Sequence, residues 1–268
     1  MTVLRVASAQ AESVPGDVAA NVATAVSLVT EAADAGARVV VLPELFLTGY
    51  DPQVWTHDHS LALDDERLDP LREVARARSV LVVAGAAVRR ALDESTLSLL
   101  VVPPDGELGA PYDKQHLFAH EREFFSPGGH GTTVALDGWD LALGVCYDGC
   151  FPEHALSAAA GGATAYLCPA AYFVGAEHRR DVYYAARALD NGMYVVFSGL
   201  TGRCGAAEFC GGSAVYDPEG RPVERMGTGR GMVVADLHLD VVQRTRKEHP
   251  MAEDRLDGLG VRHRVEVS

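Results

Sequence analysis

Apolar residues along this chain alternate between short solid runs and stretches where they recur every three or four positions. Residues 4–10 form the first run, ending in the polar Gln10, and read as a buried strand. After Asp17, residues Val18, Val22, Val26 and Val29 share one helical face, and Gly36 supplies the stop. Residues 39–43 are almost wholly β-branched and apolar, the pattern of a strand covered on both faces. Glu44 stands where that strand ends. A second cycle predicts a helix near residues 65–78, a strand at 80–88 and a partner strand at 97–102. A turn-rich segment at 103–106 leads to Tyr112-Asp113-Lys114-Gln115-His116. Further strands are expected at 132–136, 141–146, 163–168, 194–198, 212–216 and 232–236, and helices at 153–160 and 180–190.

Many strands with fewer helices imply two sheets, each faced by helices, rather than a simple doubly wound sheet. Folds of this kind place their chemistry at strand ends. No linker, fixed-period repeat or low-complexity stretch interrupts the pattern, so residues 1–268 read as one domain. Residues 239–268 are polar, with alternating charges and little to bury. They are expected either to fray or to pack on a second subunit.

Composition narrows the function. Apolar residues make up 48% and charged residues 22%, ordinary values for a folded chain. The net charge of −14 argues against nucleic acid, because phosphate binding needs a basic stripe. The densest basic run, His178-Arg179-Arg180, is followed at once by Asp181. No run approaches the roughly 18 apolar residues of a membrane span. Residues 1–10 carry one arginine and no apolar stretch of signal-peptide length. Five cysteines without CxxC spacing then read as reduced thiols of a cytoplasmic protein.

Three strand-end segments each place one reactive side chain just beyond an apolar run: Leu42-Pro43-Glu44-Leu45, Tyr112-Asp113-Lys114-Gln115-His116 and Gly144-Val145-Cys146-Tyr147-Asp148. Singly, each has a plainer reading: a helix-start charge, a solvated lysine, a small buried thiol. Together they make a mechanism. Acyl transfer from an amide needs a nucleophile, a proton shuttle and a partner for the developing oxyanion. Cys146 supplies a thiol, whose ionisation Lys114 can favour before it pairs with the oxyanion. Glu44 can take the thiol proton, pass it to the leaving nitrogen and then activate water.

On these residues the chain resembles the nitrilase superfamily, the carbon–nitrogen hydrolases with a Glu-Lys-Cys centre. The likeness is carried by residues 42–50, 112–118 and 144–153, in the family's order, and extends from about Val3 to Asp236. The resemblance implies a four-layer αββα sandwich, no cofactor, and sandwich-on-sandwich homodimers or larger homo-oligomers. It implies that the Tyr147 N–H joins Lys114 in the oxyanion hole. It also implies a second glutamate shortly before Pro127-Gly128, where Glu121 is favoured over Glu123 by its spacing, to orient Lys114 and the substrate amide.

The residues and the resemblance together predict an amidohydrolase acting on a small amide through a thioester. Its nearest rival is an N-carbamoyl amine or amino acid hydrolase, followed by a nitrilase and by a non-catalytic interaction module. Tyr172, in Cys168-Pro169-Ala170-Ala171-Tyr172-Phe173, stands between pocket wall and core, and the Arg187–Asp190 pair reads as scaffold. Cys150 reads as a small residue beside the substrate. With Cys146 it finds no suitably spaced Cys or His to complete a metal site, so no metal is expected. Many relatives acting on carboxylate-bearing substrates carry Arg three or four residues after the cysteine, whereas Gly149 and Cys150 stand here. That predicts a preference for neutral or cationic amides, unless Arg179 or Arg180 reaches the pocket.

Overall fold

The computed structural model describes residues 2–57, 60–256 and 258–267. Its strands in chain order are β1 Val3–Gln10, β2 Val39–Val41, β3 Leu81–Ala91, β4 Glu94–Val102 and β5 Gly109–Asp113. Then come β6 Thr133–Leu136, β7 Trp139–Leu143, β8 Ala165–Leu167 and β9 Tyr194–Phe197. The last are β10 Thr201–Cys204, β11 Ala207–Cys210, β12 Ala214–Tyr216, β13 Pro222–Arg225 and β14 Gly231–His238. The helices are α1 Val18–Asp34, α2 Pro52–Trp55, α3 Asp69–Arg78, α4 Pro152–Ala160, α5 Glu177–Asn191 and α6 Leu239–Glu248.

Two six-stranded sheets result, ordered β14-β1-β2-β3-β4-β5 and β13-β12-β9-β8-β7-β6, with β10 and β11 paired as a separate ribbon. In each sheet three neighbouring strands run parallel (β1, β2, β3 and β7, β8, β9) and the flanking pairs are antiparallel. Helices α1 and α3 supply the crossovers of the first sheet, α4 and α5 those of the second. The halves thus repeat one topology without a repeat in sequence.

Alternation along the strands of the second sheet assigns its two faces. Leu141, Leu143, Ala165, Leu167 and Val196 join the core shared with the first sheet, while Ala142, Tyr166, Val195 and Phe197 pack under Tyr184 and Ala188 of α5. The two sheets therefore stack face to face, with helices outside, as an αββα sandwich. In β2, Val39, Val40 and Val41 are all buried, as a strand covered on both sides must be. Polar ties cross between the sheets: Ser198 Oγ donates to the Ala9 carbonyl at 2.5 Å, and the Ser8 hydroxyl to the Phe197 carbonyl.

Asp17 starts α1 by accepting from the Ala20 N–H at 3.0 Å, and the buried Val18, Val22, Ala25, Leu28 and Val29 form its inner stripe. The expected tail boundary needs correction. Residues 239–248 form α6, which buries Val242 and Thr245 and sends Arg246 to the Ala163 and Gly192 carbonyls at 2.6 and 3.1 Å. Two residues with small apolar surface sufficed to seat a helix that charge alternation made look unanchored. Only the stretch after it is broadly exposed. Four strands also went unanticipated, β5, β10, β11 and β13, because each is short and at a sheet edge or in the ribbon.

Candidate active site

Strand ends from both sheets converge on one point. Glu44 follows β2 on a turn clamped to β3: Leu47 N–H donates to the Gly85 carbonyl and Gly85 N–H to the Pro43 carbonyl, both at 3.1 Å. A Cβ at Gly85 would lie 2.4–2.7 Å from backbone atoms of residues 43–45, so only glycine lets this turn approach. Lys114 follows the edge strand β5, its N–H donating to the Leu97 carbonyl at 2.8 Å. The expected strand over 141–146 stops at Leu143, and Cys146 instead opens a 3₁₀ turn, Cys146–Cys150, with φ of 47°. That left-handed backbone is uncommon outside glycine and costs about 1–3 kcal/mol. It is fixed by the Cys146 N–H on the Pro169 carbonyl at 2.8 Å and by the Tyr184 hydroxyl on the Cys146 carbonyl at 3.2 Å.

Lys114, fully buried, brings its ammonium 2.6 Å from Glu44 Oε1 and 2.8 and 2.7 Å from the two oxygens of Glu121. Glu121 is itself held by the Tyr50 hydroxyl at 2.6 Å and the Phe118 N–H at 2.7 Å. Glu123, the other candidate, is exposed and meets His120 instead. Burial opposes charge on Lys114, but Glu44 and Glu121 outweigh it and hold the ammonium protonated well above the usual lysine range. Burial, with Glu121 adding to it against the pull of Lys114, pushes Glu44 up to about 7. Its Oε2 has no hydrogen-bond partner among the described residues, so one oxygen stays available as a base. The Cys146 thiol is pushed well above its ordinary value by burial and by Glu44, despite the opposing charge of Lys114. The nucleophile therefore rests as a neutral thiol, in contrast to the expectation that Lys114 would ionise it.

Sequence reasoning missed the buried network behind this turn. Asp148 accepts from the Val145 N–H at 3.0 Å, the His116 N–H at 2.8 Å and the Tyr112 hydroxyl at 2.7 Å. His154 bridges the Tyr112 and Tyr166 hydroxyls at 2.8 and 2.9 Å. Burial alone would raise Asp148; the His116 bond and neighbouring positive charge more than offset it and hold the carboxyl low. An ionised Asp148 thus braces the backbone that presents Cys146. Tyr50, inside the 42–50 segment, is a further residue that sequence reasoning missed; its spacing from Glu44 was the available signal.

The cavity above holds about 180 Å³ and is walled by Tyr50, Phe118, Cys146, Tyr147, Cys150 and Tyr172, with Arg179 and Tyr183 at its edge. Tyr172 is thus wall rather than core, its hydroxyl 3.3 Å from Cys150 Sγ. Gly149 faces away from it: a Cβ there would strike Tyr184 at 2.8 Å. Arg180 does not line it either, being buried against Asp181 and the Gly211 carbonyl at 2.7 and 2.8 Å. Arg187 is buried 3.6 Å from Asp190, outside the cavity.

The arrangement can present a thiol, a carboxylate base and an ammonium to one carbonyl group. The sequence profile of the carbon–nitrogen hydrolase family matches residues 5–247. A nitrilase of Pyrococcus abyssi is 33% identical, covering 84% of this chain and 86% of the relative. The mouse (Mus musculus) omega-amidase NIT2 is 29% identical over 92% of both chains. Among solved structures, a mutant amidase of Nesterenkonia sp. AN1, with acrylamide added to its active-site cysteine, superposes with a TM-score of 0.82. It is 30% identical, over 93% of this chain and 99% of that one.

Proposed function

The chain belongs to the carbon–nitrogen hydrolase family, and we propose that Glu44, Lys114, Glu121 and Cys146 form its catalytic centre. The protein is a cysteine-dependent amidohydrolase acting on non-peptide carbon–nitrogen bonds. The observation that carries the assignment is the buried Lys114 ammonium, 2.6 Å from Glu44 and 2.7 Å from Glu121, beneath a cavity into which Cys146 opens.

With the amide carbonyl over Cys146, Glu44 takes the thiol proton as sulfur attacks the carbonyl carbon. Lys114 and the Tyr147 N–H receive the oxyanion. The two Glu121 oxygens can share one Lys114 N–H, which leaves a donor for the substrate. Protonated Glu44 then gives its proton to the leaving nitrogen, the C–N bond breaks, and a thioester remains. Water enters, loses a proton to Glu44 and attacks the thioester; the acid leaves and the proton returns to sulfur. Glu121 holds Lys114 in place and is itself positioned by Tyr50.

Five unpaired cysteines support a reducing, cytoplasmic setting. No helix among the described residues is long and apolar enough to cross a membrane. A homodimer is supported by exposed Val182 and Leu189, seven positions apart on one face of α5, and by exposed Leu259 and Val261 beyond α6. Light scattering should then give at least twice the 28.5 kDa chain mass.

Ammonia release from a panel of small amides tests the centre. Cys146→Ala should lose several orders of magnitude, as removal of a covalent nucleophile does, and mass spectrometry of the wild type should trap an acyl adduct on Cys146. Turnover by Cys146→Ala within tenfold of wild type would overturn the assignment.

A further inference from the structure

Arg179 lies in the first turn of α5 at the edge of the catalytic cavity. Of the arginines near it on the same helix, Arg180 is held by Asp181 and the Gly211 carbonyl. Arg187 is buried outside the cavity with Nη2 3.6 Å from Asp190 and its Nε and Nη1 without a partner among the described residues. Arg179 instead donates one N–H to the Tyr183 hydroxyl at 2.9 Å, its guanidinium carbon 5.8 Å from the centre of that ring. No carboxylate among the described residues lies within ion-pair distance of it, in a chain with 37 acidic side chains against 23 basic ones. A guanidinium carries five N–H donors, so four remain after the bond to Tyr183. The phenol fixes the side chain without neutralising it.

The rest of the cavity wall offers no cation. Lys114 is not part of that lining: it is buried against Glu44 and Glu121, its remaining donor serving the oxyanion at Cys146. The wall is aromatic apart from Cys146, Cys150, Ala171 and Ala176. Arg179 lines the same cavity as Cys150 and Tyr172, which places it beside that wall. A substrate anion near Cys146 would meet the carboxylates of Glu44 and Glu121. At the rim it would meet Arg179.

We propose that Arg179 selects amides whose acyl chain ends in a carboxylate, with the scissile group on Cys146 and the carboxylate on the guanidinium. This rests on the amidohydrolase reading and replaces the expectation of neutral or cationic substrates drawn from Gly149 and Cys150. A cavity of about 150 Å³ accommodates a benzene-sized molecule. The 180 Å³ here suits the amide and a short aliphatic spacer, leaving the anion at the mouth.

The test compares kcat/KM for glutaramate and for hexanamide, a neutral amide of similar length, by ammonia release from wild type, Arg179→Met and Arg179→Lys. Charge-assisted hydrogen bonds of about 1.5–3 kcal/mol correspond to roughly ten- to hundredfold. The glutaramate-to-hexanamide ratio should fall by that factor in Arg179→Met, mainly through KM, and recover in part in Arg179→Lys. An unchanged ratio overturns the proposal while leaving the catalytic centre standing. Calorimetric titration of glutarate into Cys146→Ala, with and without Arg179→Met, reads the contact without turnover. Loss of binding on adding Arg179→Met supports the proposal, and equal binding or none refutes it, even if no amide is cleaved.

Discussion

Replacing Glu44 by Gln should abolish turnover and at the same time stabilise the fold above neutral pH. The carboxyl is pushed from 4.5 to about 7 because it is fully buried and faces Glu121. Below pH 4.5 it is protonated in folded and unfolded chains alike, and the shift costs nothing. Between 4.5 and 7 the unfolded chain releases its proton while the folded site keeps it, so stability falls as pH rises. Above 7 the folded protein carries the whole cost, about 3 kcal/mol at 1.36 kcal/mol per pH unit. Gln keeps the shape and removes the titration. Between pH 5.5 and 8.5 the wild type should therefore lose about 2 kcal/mol relative to Glu44→Gln, about 4 °C in Tm for a chain of this size. Differential scanning calorimetry of both proteins at the two pH values measures this. The same ionisation should give wild-type kcat/KM an acid limb near pH 7, since the base must be unprotonated to accept the thiol proton. A Glu44→Gln protein no more stable than wild type at pH 8.5, or a stability difference that does not change with pH, would refute the reasoning.

Two further changes probe the scaffold. Gly85→Ala sets a methyl group against the backbone that carries Glu44, so kcat should fall at least tenfold with a loss of about 1–3 kcal/mol, read by ammonia release and urea unfolding. Wild-type activity in that variant would show that the turn can yield. Removal of residues 249–268 should leave the monomer fold intact and weaken association by light scattering, whereas cutting at Asp240 should also lower Tm, because it strips Val242 and Thr245 from the core. Equal Tm for the two truncations would deny α6 its structural part.

Much of the site was legible along the chain because strand-end chemistry is a local signal. A solid apolar run such as residues 39–43 must be buried on both faces, so the first polar residue after it stands at a sheet end. Glu44 was found that way and Cys146 at the end of a similar run, whereas Lys114 follows β5, a strand the pattern did not show, and was found from its Tyr112-Asp113-Lys114 segment. The helical stripe of α1 and the crossovers of both sheets follow from periodicity for the same reason: local burial imposes a local pattern. What needed the tertiary structure is contact between distant segments. Lys114 and Glu44 are 70 positions apart, and Tyr50 and Glu121 are 71. Neither periodicity nor propensity carries the registers that bring them together. The tilt of Cys146 into left-handed backbone depends on Pro169 and Tyr184, and the neutral resting state of its thiol on burial and Glu44. Arg179 and Arg180 differ by one residue and about 100° around α5. That rotation alone sends one to the cavity edge and the other into the scaffold, because only the packed helix decides which face of it meets the substrate.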